Sequence, residues 1–503
     1  MKKDILVYIL WMTGVTLWWV VCFLMPDFFD NPVDGWVSAL KIGGYLVALG
    51  IASFWIIYLI GLNRYVTAVV LPVFALAGAG VSYFRVAFHA TITPMIVDAT
   101  LHTNGGTIMG VVSWPLVLWL LFNALVAAAF IYWRFKQNDL PYAWVQALVV
   151  IGLLFGYYHM NARLHMSINQ RFPYNIPHSL SEYAKQQQMQ QADRESLPYE
   201  AVQVPDSIDI VFVLGEAARA DHLQLNGYAR ETTPLLAARR NVVSLPHIYS
   251  EYSYTTTSVP HILSPADSVH TARSGTHHSF LYTLRENRFA SAWISNQDDG
   301  QTYTAFIHEA DTVIFPNAGK SVFVFDPWYD EQLLPILDSV RVHRAARNIY
   351  VLHAIGSHWY YNLHVPEQAQ VFTPTTTNRI ITSNTDEQIV NSYDNTIRYM
   401  DLFVDSVIQR FEDRCALVIY LSDHGEALGE DGQYLHASES EALHQPACFV
   451  WYSDKYAAMY PDKIKVLVAN QDKHYRTDFV FYSILYAAGI EAEGDNAQVN
   501  IFR

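Results

Sequence analysis

Between residues 417 and 436 a short apolar run, Leu417-Val418-Ile419-Tyr420-Leu421, leads straight into Asp423 and His424, then Glu426 and, a little later, His436. The run has the length and β-branching of a buried strand in a parallel sheet. Such sheets carry their chemistry just beyond the carboxyl ends of the strands. A carboxylate beside an imidazole at that place, with two more ligand-type residues in the next loop, points to zinc or manganese. The same residues could equally make a helix-capping Asp beside a surface His, so the rest of the chain has to decide.

Two more apolar runs end in the same way. Ile208–Leu214 runs into Gly215-Glu216, and Ile349–Ile355 into Gly356-Ser357-His358. Three strands that each deliver a metal-ligand residue to one sheet edge make a metal site the favoured reading. A candidate nucleophile, a Thr or Ser, lies in Tyr254-Thr255-Thr256-Thr257-Ser258-Val259-Pro260, just before the apolar Ile262-Leu263. Hydroxyls clustered at a helix start sit where the positive end of the dipole favours an alkoxide and a phosphate. A metal on that oxygen would lower its pKa further. On residue type alone these hydroxyls also suit an ordinary N-cap.

The elements that must hold these groups can be read from pattern. From about Ser207, strand-like runs alternate with helical stretches, the sign of an α/β domain with a mainly parallel sheet. Strands are expected at 208–214, 291–295, 321–325, 349–355, 417–421 and 448–452, and helices at 328–347 and 390–411.

The first third is different. The chain has 503 residues, is 51% hydrophobic and has a mean hydropathy of +0.10, too apolar for an ordinary soluble enzyme. Apolar segments at roughly 5–25, 42–62, 65–84, 111–133 and 143–159 predict five transmembrane helices. Lys2 and Lys3, Arg64, and Arg134 with Lys136 alternate onto one side, which the positive-inside rule makes cytoplasmic. The loops around Asp27, Asp30 and Asp34 and from about 87 to 110 then lie outside, as does everything after residue 160.

The expected organisation is therefore a transmembrane domain at 1–160, an interfacial linker at 161–205 with the glutamine-rich stretch that starts at Lys185, and a catalytic domain at 206–503. The net charge of −15 argues against a nucleic-acid partner. Three cysteines, Cys22, Cys415 and Cys448, provide no disulfide framework.

The ordered series Gly215-Glu216-Ala217-Ala218-Arg219, Asn226-Gly227-Tyr228, Thr232-Thr233-Pro234, Thr255 with Ser258-Val259-Pro260, Gly356-Ser357-His358, Asn391 to Asn395, Ser422-Asp423-His424-Gly425-Glu426 and Tyr434-Leu435-His436 resembles the phosphoethanolamine transferases of the alkaline-phosphatase/sulfatase superfamily. That family includes lipid A-modifying and mobile colistin-resistance enzymes. The resemblance spans essentially the whole chain.

It implies that Glu216, Thr255, Asp423 and His424 hold a tightly bound zinc, with Thr255 as nucleophile. Glu426, His358, His436 and Asn296 would meet the donor phosphate or a second metal, and His358 or His436 would serve proton transfer. Manganese is the alternative ion. The implied reaction moves phosphoethanolamine from phosphatidylethanolamine to lipid A or a lipopolysaccharide-type glycan through a covalent phosphothreonine. It implies a monomer in the bacterial inner membrane with its catalytic domain in the periplasm.

The chain departs from the family at several places. Glu251 and His261 stand where relatives carry cysteines beside the nucleophile loop, and Trp359-Tyr360 follows His358 in place of Gly-Pro. A lysine expected near Ser295–Gln301 is absent, and Gly105-Gly106-Thr107 follows Thr103-Asn104 where an acidic residue is common. These departures spare the metal and nucleophile core and fall where donor and acceptor would be met. The competing enzyme reading is glycerol-phosphate transfer from phosphatidylglycerol, as in lipoteichoic acid synthases. Sulfate-ester hydrolysis fits less well, because Ser258-Val259-Pro260-His261-Ile262 lacks the arginine of the sulfatase nucleophile motif. A non-enzymatic sensor would be marked by a lost ligand, and none is lost.

Overall fold

A computed structural model describes residues 2–29, 33, 35–88, 92, 97, 113–163, 171–191, 193–297, 303–317, 327–378, 381–436 and 440–503. The expected strand at 321–325, the Asp298–Gln301 part of the loop after Asn296, and Thr103 to Thr107 lie outside the described residues. Two compact units are present, one formed by residues up to Lys185 and the other by Gln186–Ala318 with Asp326–Arg503.

The first unit is helical: α1 (Lys2–Trp19), α2 (Trp36–Gly61), α3 (Arg64–Phe88), α4 (Trp114–Phe135), α5 (Ala143–Arg163) and α6 (Asn175–Gln191). Among the described residues four spans are long and apolar enough to cross a membrane: Ile5–Phe28, Trp36–Gly61, Arg64–Val86 and Trp114–Phe135. The fifth expected span is helical, but its apolar part, Ala143–Tyr157, is shorter. Leu17, Leu40, Val69 and Leu125 point outward, as apolar side chains do on helices that face lipid.

Inside the unit, polar groups find partners. Trp18 Nε1 donates to Asn123 Oδ1 (3.0 Å), and the buried Arg134 donates from Nε to the Gly61 carbonyl at the end of α2 (2.8 Å). That bond satisfies one of the orphan carbonyls every helix end leaves. Arg64 and Arg134 both pair with Asp139, so two of the basic ends predicted to share a side do lie together.

The second unit is built on a seven-stranded sheet: β1 (Ile208–Gly215), β2 (Val242–Ser244), β3 (Ala290–Ser295), β4 (Thr312–Ile314), β5 (Arg347–His353), β6 (Ala416–Ser422) and β7 (Cys448–Tyr452). The order across it is β2-β7-β6-β1-β5-β3-β4. The block β6-β1-β5-β3-β4 is parallel, and β7 runs antiparallel to both β6 and β2. The short strands β2 and β4 carry too little apolar signal to be read from sequence, and β5 ends two residues earlier than expected.

Every residue of β1 is buried, because the strand lies at the centre of the sheet. Its alternate side chains serve two cores: Ile208, Ile210, Phe212 and Leu214 on one face, Val211 and Val213 on the other. The first face is covered by α7 (Thr255–Leu263), α8 (Phe280–Glu286) and α11 (Phe479–Ala487), the second by α9 (Leu333–Val342) and α10 (Asp386–Gln409). Thr385 and Gln388 form a capping box that fixes the start of α10. The three-layer arrangement puts the ends of β1, β5 and β6 side by side, in register Leu214 with His353 and Leu421.

Tight turns at that edge need glycine. A Cβ on Gly425 would lie 2.0 Å from the Ala442 carbonyl oxygen, so neither backbone could stay in place. Gly425→Ala is expected to destabilise the second unit by about 1–3 kcal/mol, as overpacking against backbone does. Gly275→Ala, where nothing lies within 4 Å, should leave the melting temperature unchanged. Thermal denaturation of the two variants side by side checks this.

Candidate metal centre

Glu216 is the first residue beyond β1, Asp423 and His424 the first two beyond β6, and all three are buried. Parallel pairing of β1 with β6 sets Gly215 against Ser422, so these groups meet without any long excursion of chain. Thr255 comes from the opposite direction, as the first residue of α7. Its hydroxyl donates to Glu216 Oε2 at 2.9 Å and lies 3.4 Å from His424 Nε2. The neighbouring hydroxyls turn elsewhere: Thr257 donates to the Tyr254 carbonyl and Ser258 to that of Tyr252. Of Thr255, Thr257 and Ser258, it is Thr255 that reaches a carboxylate of the site.

The hydrogen bonds of the ligands assign their free atoms. His424 Nδ1 lies 2.7 Å from the Gly425 carbonyl, which can only accept, so Nδ1 carries the proton. Nε2 therefore presents a lone pair. It faces Glu216 Oε1 and Asp423 Oδ2, each at 3.4 Å. Those two oxygens are buried and have no hydrogen-bond partner, while Asp423 Oδ1 accepts from the Ala217 and His424 amides. Three lone pairs thus converge with no donor among them, because the Thr255 proton goes to Glu216 Oε2. Unpaired buried charge costs several kcal/mol per ion, and a divalent cation is a group that would satisfy all three lone pairs at once. Two carboxylates, an imidazole nitrogen and a hydroxyl make a donor set that fits zinc.

Glu216, His424 and His436 also form a ligand-type group, with one donor atom from each within 4.8 Å of one another. Electrostatics agree with a cation-seeking site. Burial, followed by the charge of Asp423, holds the Glu216 carboxyl well above its usual range in the metal-free protein.

The two other histidines differ in charge. Burial works against a proton on His436, but Glu426, Glu216 and Asp423 outweigh it and push its pKa up to about 9. His436 Nδ1 lies 3.5 Å from Glu426 Oε2. Burial, then His436 and His364, push His358 down to about 3, and its Nδ1 is fixed at 2.6 Å on the Trp359 carbonyl. The rings of His358 and His436 are 5.9 Å apart, those of His424 and His436 5.2 Å. Glu426 is buried and accepts from the Tyr361 hydroxyl at 3.4 Å. Asn296 stands apart in its bonding: its amide donates to Asp330 and accepts from Asn317.

Of the residues that support the site, Gln297, Ser250 and Asp330 were not picked out from sequence, while Ala217, Gly356 and Tyr393 lie in the motif series. Gln297 donates to Glu216 Oε2. Ser250 donates to the Asp423 carbonyl, and Tyr393 to that of Ala217, whose φ of 56° turns the chain sharply after Glu216. Asp330 accepts from the Ile355 and Gly356 amides and fixes the turn before His358. A Cβ on Gly356 would come within 2.7 Å of the Glu216 carbonyl oxygen, so glycine there lets two of the strand ends approach. None of these obeys a spacing rule, and the positive φ at Ala217 breaks the usual preference for glycine.

Comparison with known proteins adds to this geometry. The family described as "Sulfatase" matches residues 208–490, and the one described as "Phosphoethanolamine transferase EptA/EptB" matches residues 50–187. Phosphoethanolamine transferase EptA of Escherichia coli K12 is 33% identical over 300 residues, which cover 56% of this chain and 53% of that protein. The chain therefore spans about half the length of that relative. The Kdo(2)-lipid A phosphoethanolamine 7''-transferase of the same organism is 26% identical, over 82% of this chain and 80% of that protein. The C-terminal periplasmic domain of E. coli EptC, crystallised in complex with zinc, superposes with a TM-score of 0.56 at 21% identity, over 62% of this chain and 90% of that one.

The charge on His436 gives a pH signature in the metal-free protein. Its folded pKa of about 9 lies above the ordinary value of 6.5. The stability it confers is thus complete below about pH 6.5 and is lost as pH rises through about 9. In chelator-treated protein, the melting-temperature gap between the wild type and His436→Ala is expected to be largest near pH 6 and to close by pH ~10. A gap independent of pH would refute the assignment.

Proposed function

The chain belongs to the sulfatase family, and from that premise we propose that it is of the phosphoethanolamine-transferase branch and transfers phosphoethanolamine from phosphatidylethanolamine to lipid A or a lipopolysaccharide-type glycan. The observation that carries the reading is the Thr255 hydroxyl held 2.9 Å from Glu216 Oε2 at the edge of a cluster of unpaired donor atoms. Membership in a family named for sulfate esters does not fix the ester. The nucleophile here is a threonine at a helix start, and no arginine stands after it at the sulfatase-motif position.

Glu216, Thr255, Asp423 and His424 would hold one zinc ion, with Glu426, His358 and His436 beside it on the substrate side. When bound, zinc supplies Lewis-acid stabilisation of charge on phosphoryl oxygens and a lower pKa for a coordinated hydroxyl.

The chain's own groups do the rest. Thr255 Oγ1 gives up its proton towards Glu216 Oε2 and attacks phosphorus. The bond from phosphorus to the diacylglycerol oxygen breaks as the Oγ1–phosphorus bond forms. His436, held 3.5 Å from Glu426 Oε2, is the group placed to supply a proton to the departing oxygen, and diacylglycerol leaves. His358 is neutral and anchored through Nδ1, so it presents Nε2 as an acceptor and orients rather than protonates. In the second half the acceptor oxygen attacks the phosphothreonine as its proton passes to His436, the Oγ1–phosphorus bond breaks, and Thr255 Oγ1 takes back its proton from Glu216. The amide ends at the start of α7 add fixed positive potential at the phosphoryl group.

The apolar spans fit a donor that is itself a membrane lipid, with the catalytic unit on the periplasmic side of a bacterial inner membrane as the domain at 206–503. Names of the relatives support lipid A as the acceptor class.

Purified full-length protein with zinc and fluorescent phosphatidylethanolamine should release diacylglycerol and carry one phosphoethanolamine mass on Thr255 until lipid A is added. Thr255→Ala should lower donor cleavage by at least ~10³-fold, in the range seen when a nucleophile is removed, in protein that remains folded. Cleavage of phosphatidylglycerol in its place would transfer the reading to glycerol-phosphate chemistry.

A further inference from the structure

Gln297 lies at the end of β3, two residues beyond Ser295, and is buried among groups of the metal centre. Its side-chain amide has two N–H bonds, and both are used. Nε2 donates to Glu216 Oε2 at 3.1 Å and to the Ala354 carbonyl at 2.9 Å. Its backbone amide is fixed in turn by Ser295 Oγ at 3.2 Å. Ala354 opens the segment that runs through Gly356 to His358, so one side chain joins the ends of β1 and β5.

The partition of the Glu216 carboxylate matters. Oε2 receives two donors, the Gln297 amide and the Thr255 hydroxyl, while Oε1 receives none and faces His424 Nε2. Without Gln297 the carboxylate would keep a single hydrogen-bond donor, and rotation about its last bond could turn either oxygen inward. An amide is the group for this task. It is uncharged, so it adds no cation to compete for the site, and its two N–H bonds diverge at a fixed angle that spans carboxylate and carbonyl together.

We propose that Gln297 is a positioning residue for the metal centre, holding Glu216 so that Oε1 is presented to a divalent cation and Oε2 to the Thr255 hydroxyl. The inference rests on the zinc-transferase reading and adds to it a residue outside the ligand set. Partners that hold a metal ligand in place from outside the coordination sphere are commonly worth 10–100-fold in affinity.

The test is zinc affinity of the full-length, detergent-solubilised chain, measured by competition with a chromophoric chelator. Gln297→Met keeps length and bulk without the donors, and Gln297→Glu keeps the shape but replaces the donor with an acceptor. Both are expected to weaken zinc binding roughly 10–100-fold, with the melting temperature of the metal-free protein within a few degrees of wild type. At saturating zinc, kcat for donor cleavage should fall while KM for phosphatidylethanolamine stays unchanged, because Gln297 touches the ligand and not the lipid.

Zinc binding within twofold of wild type in either folded variant would overturn the proposal. If Gln297→Met alone lost its fold, Gln297→Glu would decide. A wild-type chain that takes up no zinc would instead remove the zinc reading itself, and the positioning role with it.

Discussion

Lone pairs that point at one another inside a protein repel, and the second unit of this chain holds three of them in place. Glu216 Oε1, Asp423 Oδ2 and His424 Nε2 converge within 3.4 Å of the imidazole nitrogen, out of contact with solvent. Left to themselves these groups would swing apart, and burial already pushes the Glu216 carboxyl towards its protonated form. They stay because the other atom of each ligand is already committed. Asp423 Oδ1 is bound by two backbone amides, His424 Nδ1 by a carbonyl, and Glu216 Oε2 by a hydroxyl and an amide. A site preorganised in this way meets a cation with its reorganisation already done, the condition under which electrostatic stabilisation of a transition state is largest.

The commitment reaches outward into the sheet. The three strands that end at the site are neighbours in a parallel block, so hydrogen bonding along β1, β5 and β6 sets the spacing of the ligands to within the tolerance of a strand ladder. Close approach at the edge then depends on glycines 356 and 425, where a single added carbon would meet backbone. The buried Asp330 takes the Ile355 and Gly356 amides that the end of β5 leaves free. Its carboxyl is pushed above its ordinary range by burial, with three hydrogen bonds acting against that shift. Charge buried for geometry is a recurring cost here.

Much of this was legible in the sequence, for physical reasons that differ from element to element. β1, β5 and β6 are doubly covered strands, so they read as continuous apolar runs, and the carboxyl end of such a run marks the sheet edge where function sits. Glu216, Asp423 and His424 were visible because they are the first polar residues there. The hydroxyl cluster was visible from the helix start after it, and Thr255 within the cluster from the family resemblance. Strands β2 and β4 were invisible, being three residues each and held by pairing rather than by their own pattern. Gln297, Ser250 and Asp330 were illegible because they act through tertiary distance. Gln297 stands 81 residues from Glu216, and nothing in residue type marks one buried amide among several polar neighbours. Asn296, beside it, drew attention through the family resemblance and is bonded instead to Asp330 and Asn317.

The nucleophile loop shows how the chain does without the covalent links its resemblance would suggest. Its three cysteines are free. At the two positions flanking the loop stand Glu251, paired with Arg476, and His261, buried edge-on to Tyr252 and kept neutral by burial, with a pKa near 4. Ser250 makes the firmer connection. Its amide donates to the His444 carbonyl, its own carbonyl meets His444 Nδ1 at 2.7 Å, and its hydroxyl reaches the Asp423 carbonyl at 3.0 Å. The loop that presents Thr255 is therefore tied to His444 and, through the Ser250 hydroxyl that also reaches the Tyr252 carbonyl at 2.8 Å, to the backbone of Asp423. Individually such bonds contribute about 0.5–1.5 kcal/mol, less than a disulfide closing a loop of this kind. They act together, however, and they do not respond to the redox state of the compartment. A nucleophile loop held in this way would stay aligned under reducing conditions that would open a disulfide.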